Sequence, residues 1–199
     1  MELKPGGSRL DRYGHLLAQV FVVTGGTRLW LQEALIAEGL ARVYSFPDNR
    51  ACVTELLARE AEARASLGVW SSSLYRVVSA LDVKRSGRLT HSYQVVEGTV
   101  ATVGEGGGRI YLNFAKDWHS DFTISVDRKD APAFAAAGID LKALAGKRLR
   151  VRGFLGWRMA DDRSEPSGAD RALAGRFQAR HAAAAANGAG YRAIGQAVP

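Results

Sequence analysis

The chain has 199 residues, 47% of them apolar, enough for one domain or two small ones with packed cores. It has no apolar run of eighteen residues, and its start, Met1-Glu2-Leu3-Lys4-Pro5-Gly6-Gly7, lacks the apolar stretch of a secretory signal. The sequence as written therefore predicts no membrane partner and a cytoplasmic location. A single cysteine, Cys52, excludes an intrachain disulfide and a cysteine-built zinc site, and it is expected as a small buried residue on a helix. The net charge is +7 and lies mainly in the middle of the chain. Residues 1–87 carry 11 Lys+Arg against 9 Asp+Glu (+2), residues 88–158 carry 11 against 7 (+4), and residues 159–199 carry 5 against 4 (+1). A basic middle segment attracts phosphate backbones through counterion release.

Leu16 to Val23 is apolar and increasingly β-branched, which predicts a strand. Thr24-Gly25-Gly26-Thr27 predicts a hairpin turn, because two glycines supply positive φ at little cost. Residues 31–40 predict a short helix with Leu31, Leu35 and Ile36 on one face and Gly39 at its left-handed stop. Val43 to Phe46 is a short extended piece. Pro47-Asp48-Asn49 opens a second helix that runs to about Leu67 and stops at Gly68, with Asp48 or Asn49 as cap and Trp70 as a core anchor. Residues 71–89 are polar and basic enough to predict a linker.

The period then changes from helical to alternating. Tyr93 to Val103, Arg109 to Phe114 and Asp121 to Asp127 predict three strands; the last two place Ile110, Leu112, Phe114, Phe122, Ile124 and Val126 on a buried face. Gly104 to Gly108 is a hairpin turn. It joins two strands and lacks the Lys-Ser/Thr ending of a phosphate loop. Ala131 to Ala145 predicts a helix interrupted at Gly138, and Lys147 to Leu155 a fourth strand. Three strands, a helix and a fourth strand is the order of an OB-fold, which needs a fifth strand to close. From Met159 onward Ala, Gly, Arg and Asp dominate, and composition predicts a low-order tail.

Two stretches carry a family resemblance. Asp11-Arg12-Tyr13-Gly14-His15-Leu16-Leu17-Ala18 is similar to the Asp-[Lys/Arg]-Tyr-Gly-Arg-x-Leu-Ala segment of staphylococcal-nuclease-like (thermonuclease) domains. Gln32 to Val43 resembles the Asn-x-x-Leu-[Val/Ile]-x-x-Gly-Leu-Ala-[Lys/Arg]-Val segment that follows it. The second unit resembles the OB-like domain that follows the nuclease domain in some bacterial proteins, on Tyr111 to Trp118 and then Asp121 to Ile124. The resemblance implies metal-assisted phosphodiester hydrolysis, with calcium held by aspartates, a glutamate as base and two arginines on the phosphate. Those aspartates, the glutamate and one arginine lie upstream of the Tyr-Gly-Arg segment; with ten residues before Asp11, they are expected to have no counterpart. The second arginine falls on His15, and a neutral imidazole cannot give the forked, permanent contact of a guanidinium.

The expected fold class is therefore α+β. A partial nuclease-like OB barrel with two helices covers 1–70, a linker 71–89, and an OB-like β-barrel of the five-stranded type without a clear last strand 90–158. A tail covers 159–199. The stretch Arg158 to Arg171, read one nucleotide later with suitable codons, gives Gly-Trp-Pro-Met-Ile-Glu-Val-Ser-His-Pro-Glu-Gln-Ile-Glu. That matches the ending expected of the OB-like domain, so a frameshift near Trp157 is predicted. His15 is the candidate catalytic residue. Tyr13, Tyr111, Lys116, Trp118, Arg148, Arg150 and Arg152 are the candidate nucleic-acid contacts, and Asn113 and Phe122 lie on the same central strands. Each has a bland alternative: a hairpin or surface role for Tyr13 and His15, and a solvated face for the arginines. No metal site is predicted, and calcium enters only through the family. The expected function is a catalytically impaired thermonuclease-family fragment that binds single- or double-stranded nucleic acid through the OB-like unit. An active metal-dependent endonuclease and a vestigial or protein-interaction module are the alternatives. Self-association is expected through an exposed edge of the Leu16 to Val23 strand.

Overall fold

The computed structural model describes residues 1–11, 13–44, 49–65, 68–83, 89, 92–116, 122–159, 175–187 and 191–193. It is a mixed α and β structure in two compact units, Met1–Arg76 and Val77–Pro199.

In the first unit, β1 (Glu2–Lys4), β2 (Gln19–Thr24) and β3 (Thr27–Trp30) form an antiparallel sheet in the order β1-β2-β3. Gly25 and Gly26, with φ of 58° and 79°, make the two-residue turn between β2 and β3; both angles are positive, as a hairpin of matching twist requires. β2 is therefore the middle strand, with β1 beside Gln19–Phe21 and β3 beside Phe21–Thr24, in place of the exposed edge expected on the Leu16 to Val23 strand. Helix α1 (Leu31–Ala37) stops at Gly39, φ 69°, as its sequence implies. It buries only Ile36, while Leu35 stays 39% exposed, because two turns give one inward position rather than a stripe.

Helix α2 (Val53–Ala63) starts later than the sequence suggested. The side chain of Asn49 donates to the Ser8 carbonyl instead of capping the helix, and the N-cap is Cys52 in a left-handed conformation, φ 63°. That geometry turns Cys52 outward, so the thiol is exposed and not buried. Asp48 lies outside the described residues. The core here is small: Ile36, Val43 and Leu56, with Trp30, Ala41 and Leu57 against them. Trp70 is buried, as its anchoring role required. Fully buried Glu60 holds the pieces together: its Oε2 accepts the Val43 amide at 2.7 Å, and its Oε1 takes Arg64 Nη1 at 3.2 Å.

The second unit begins inside the stretch expected to be a linker. Strand β4 (Val78–Ser79) pairs in parallel with β5 (Tyr93–Thr99), and Val78, Ala80, Val83 and Leu89 are core residues. Four apolar residues scattered among polar ones carry no period, which is why composition alone reads as a connector. Strand β6 (Thr102–Gly106) pairs with β7 (Arg109–Asn113) across a turn at Gly107 and Gly108. Strand β7 in turn pairs with β8 (Phe122–Asp127). The expected helix after β8 is α3 (Ala131–Ala136), broken at Gly138 (φ 77°) and resumed as a 3-10 turn over Leu141–Leu144. The tail expected to be of low order carries β10 (Gly175–Asn187) and β11 (Tyr191–Ala193). Backbone pairing between β9 (Arg148–Met159) and β8 accounts for β10 without the bulky alternation that would have revealed it in sequence. The sheet order is β4-β5-β9-β10-β8-β7-β6. Ile110, Leu112, Phe122, Ile124, Val126, Leu149 and Val151 fill its interior.

Candidate nucleic-acid interface

Residues directly opposite one another on paired antiparallel strands share a face. On β7 the inward residues Ile110 and Leu112 are buried, so Arg109, Tyr111 and Asn113 occupy the other face. Tyr111 stands between Gly104 on β6 and Ser125 on β8. Asn113 stands between Thr102 and Thr123, donating from Nδ2 to Thr102 Oγ1 (3.1 Å) and accepting from Thr123 Oγ1 (3.1 Å). Arg109 is held by Asp127, Nε to Oδ1 at 2.9 Å, and reaches Ser125 Oγ at 3.4 Å. The result is a row of three polar side chains on one face, of which Arg109 and Asn113 are held by residues of the neighbouring strands. The residues directly opposite the Tyr111 ring are a glycine and a serine. Lys116 is exposed just beyond the end of β7.

Tyr111 in the middle of β7 and Asn113 at its end share one face, as the alternation implied, and Lys116 lies three residues beyond the strand. The structure adds Arg109, Gly104 and Ser125, which the sequence did not single out; only the strand register shows what flanks Tyr111. Phe122, expected as a contact on these strands, is 2% exposed and packs on Phe114 with ring centroids 5.2 Å apart. Trp118 lies outside the described residues.

The arginine stripe is corrected by its partners. Arg148, Arg150 and Arg152 do share one face of β9, since Leu149 and Val151 point inward. Arg148 and Arg150 both ion-pair with Glu97, which faces Arg150 across β5–β9. The Arg150 side chain is 12% exposed, and Arg152 is buried at 6%. Burial and a shared carboxylate leave Arg148 as the stripe's exposed cation. Sequence alternation gives the face but cannot give the acid opposite it.

In the first unit, the segment around His15 is a tight polar turn. Asp11 Oδ1 accepts the amides of Tyr13 (2.8 Å) and His15 (2.9 Å), and its Oδ2 lies 3.0 Å from His15 Nδ1. The His15 amide does most to hold the Asp11 carboxyl below its usual pKa; desolvation opposes it, and the Tyr13 amide and the His15 side chain add to the lowering. The His15 side chain is 75% exposed, with Nδ1 on Asp11, and the Tyr13 ring lies 6.0 Å from it. A cavity of about 260 Å³ near the start of β2 is lined by Leu17, Leu35, Ile36 and Leu56 with Gln32 and Asn49. Gln32 already bonds the Ala18 carbonyl and the Val20 amide, and Asn49 the Ser8 carbonyl. Among the described residues no three His, Cys, Asp or Glu side chains converge. No helix among them is long and apolar enough to cross a membrane.

The family model of the staphylococcal nuclease homologues matches residues 2–72. The first unit is staphylococcal-nuclease-like. Over 71 residues it is 42% identical to endonuclease YncB of Bacillus subtilis (strain 168) and 41% identical to the SPbeta prophage-derived endonuclease YokF of the same organism. Each match covers 35% of this chain, and 32% and 23% of those proteins, so the chain spans about a third of the curated relatives' length or less. Among solved structures, asparaginyl-tRNA synthetase of Entamoeba histolytica in complex with asparaginyl-adenylate aligns with a TM-score of 0.31. It is 13% identical over 62% of this chain and 24% of that one, a likeness too slight to carry an argument.

Proposed function

We propose that this nuclease-family protein binds single-stranded nucleic acid on the β6–β7–β8 face of its second unit, and that its first unit is impaired as a hydrolase. The second unit is read as an OB-like barrel. The strand path runs from β4 to β6; β5, next to β4, continues into β6 at the far end through Val100 and Ala101, and β10 lies between β9 and β8 where a last strand would stand. The observation that carries the binding reading is Tyr111 between Gly104 and Ser125. Tyr111 is a partly exposed ring on this face, with the small residues Gly104 and Ser125 directly opposite it on the neighbouring strands; such a ring can stack on a base, with Asn113 on the same face and Lys116 exposed beyond the strand for polar and phosphate contacts. Impairment rests on His15 at the position of the family's phosphate-binding arginine. Losing a transition-state donor of that kind costs about 2–4 kcal/mol.

Fluorescence anisotropy of labelled single-stranded oligonucleotides at low and moderate salt tests the binding. Affinity should fall with salt. Tyr111→Ala should weaken it by roughly 5- to 150-fold, about 1–3 kcal/mol, while Tyr111→Phe retains it. Binding untouched by Tyr111→Ala, or no binding at low salt, refutes the reading. A second reading, cleavage of nucleic acid, is favoured by the 42% identity to an endonuclease. Nicking of plasmid DNA that needs calcium and is abolished by chelator would establish it.

A further inference from the structure

Strands avoid asparagine, yet Asn113 stands inside the pairing of β6, β7 and β8, opposite Thr102 on one side and Thr123 on the other. Among the described residues its side chain bonds only those two threonines, Nδ2 donating to Thr102 Oγ1 and Oδ1 accepting from Thr123 Oγ1, both at 3.1 Å. Its backbone is fixed as well. The Asn113 carbonyl accepts the Ala101 amide at 2.7 Å, and the next amide, that of Phe114, donates to the Phe122 carbonyl at 3.2 Å.

Side-chain length decides which part of the carboxamide the threonines use. Side chains stand roughly perpendicular to a sheet. A threonine hydroxyl is one bond beyond Cβ, whereas Nδ2 and Oδ1 are two bonds beyond it, and the three residues lie directly opposite one another on one face. The hydroxyls therefore engage the carboxamide on its flanks, on the side nearer the sheet. A carboxamide has two N–H donors and two oxygen lone pairs. One of each is taken. The pair that remains is the outer edge, an N–H and a lone pair side by side, facing away from the sheet. Exchanging N and O leaves this unchanged, because either threonine hydroxyl can donate or accept. Arg109, at the other end of the row, is already engaged by Asp127 and Ser125.

We propose that Asn113 reads the edge of the base stacked on Tyr111, and that the base it selects is adenine. This rests on the reading of the β6–β7–β8 face as a single-strand binding surface. Asn113 is two residues from Tyr111 on the same face, about 7 Å along the strand, within the span of a stacked base and one hydrogen bond. The 6-amino group of adenine donates to the outer lone pair while N7 or N1 accepts the outer N–H, the bidentate match by which asparagine selects adenine. Adenine offers that match on two edges, and cytosine and guanine on one each. Thymine offers it only through its single N3–H, and as a pyrimidine it covers less of the Tyr111 ring. Thr102 and Thr123 hold the amide in place beforehand, so little rotamer freedom is lost on binding.

The test is fluorescence anisotropy of the full chain at low salt with two labelled strands. One is a deoxyadenosine dodecamer; the other is the same strand built on purine without the 6-amino group. Wild type should bind the adenine strand roughly fivefold or more tightly. In Asn113→Ala, and in Asn113→Thr, which suits a strand and keeps a hydroxyl between the two threonines, the strands should bind within about twofold of each other. Tyr111→Ala should weaken both strands together. Equal binding of the two strands by wild type overturns the assignment of Asn113. So does a preference that survives in Asn113→Ala, or in Asn113→Thr where the alanine variant unfolds. Wild type that binds neither strand overturns the reading of the face, and this inference with it.

Discussion

Glu60 tests how the first unit stays folded. Its carboxylate is fully buried, and it answers two groups from different parts of the chain: the Val43 amide at 2.7 Å and the Arg64 guanidinium at 3.2 Å. Glu60→Ala leaves a buried amide without that acceptor and a cation, 13% exposed, without that carboxylate. Removing one partner from such a buried pair costs about 3–5 kcal/mol. The three-residue core cannot absorb that loss, since complete domains have about 5–15 kcal/mol of stability in all. Glu60→Gln keeps the shape and an acceptor and should cost clearly less, about 1–2 kcal/mol. Urea unfolding followed by amide exchange at Val43 reads both variants. Glu60→Ala within 1 kcal/mol of wild type, or a Gln variant as unstable as Ala, would refute the view that this carboxylate ties α2 to the Val43 segment.

Other outcomes follow from single positions. Gly68 has φ +83°, and a Cβ there would lie 2.4 Å from the Gly39 carbonyl oxygen, which accepts the Val69 amide. Gly68→Ala should cost about 2 kcal/mol or more, read as a lower urea midpoint, with Gly26→Ala as a strained but uncrowded comparison. Asp11 has a lowered folded-state pKa, so its contribution to the turn is fully present above the unfolded value of about 3.9 and disappears as pH falls through the lower folded value. In the His15→Gln variant, where no imidazole titrates at this turn, the chemical shift of the Tyr13 amide should stay constant down to about pH 4 and move only below it; movement between pH 5 and 7 would contradict this. His15→Arg should raise phosphodiester affinity or turnover by roughly tenfold or more if the position serves phosphate; no change in either would leave His15 a surface residue. Sequencing the gene through the codons for residues 157–175 should find codons that read Gly-Trp-Pro-Met-Ile-Glu-Val one nucleotide later; incompatible codons dismiss the frameshift.

Much of this was written in the chain. The Gly25-Gly26 turn, the stop at Gly39 and the alternating Ile110, Leu112, Ile124 and Val126 follow from local rules of φ and period, which need no knowledge of neighbours. So does the nuclease-like segment, because Asp11 to Ala18 and Gln32 to Val43 carry it in contiguous residues. What the sequence left open depended on partners distant along the chain. Asn49 looked like a helix cap until Ser8 claimed its amide. Arg148, Arg150 and Arg152 looked like one basic stripe until Glu97, some fifty residues earlier, stood opposite. Val78 and Val83 looked like linker residues until β5 and the core closed over them. Periodicity says which way a side chain points; register and packing decide what it meets. For Tyr111 that difference is the proposed site itself, since only the pairing of β6, β7 and β8 places a glycine and a serine beside its ring.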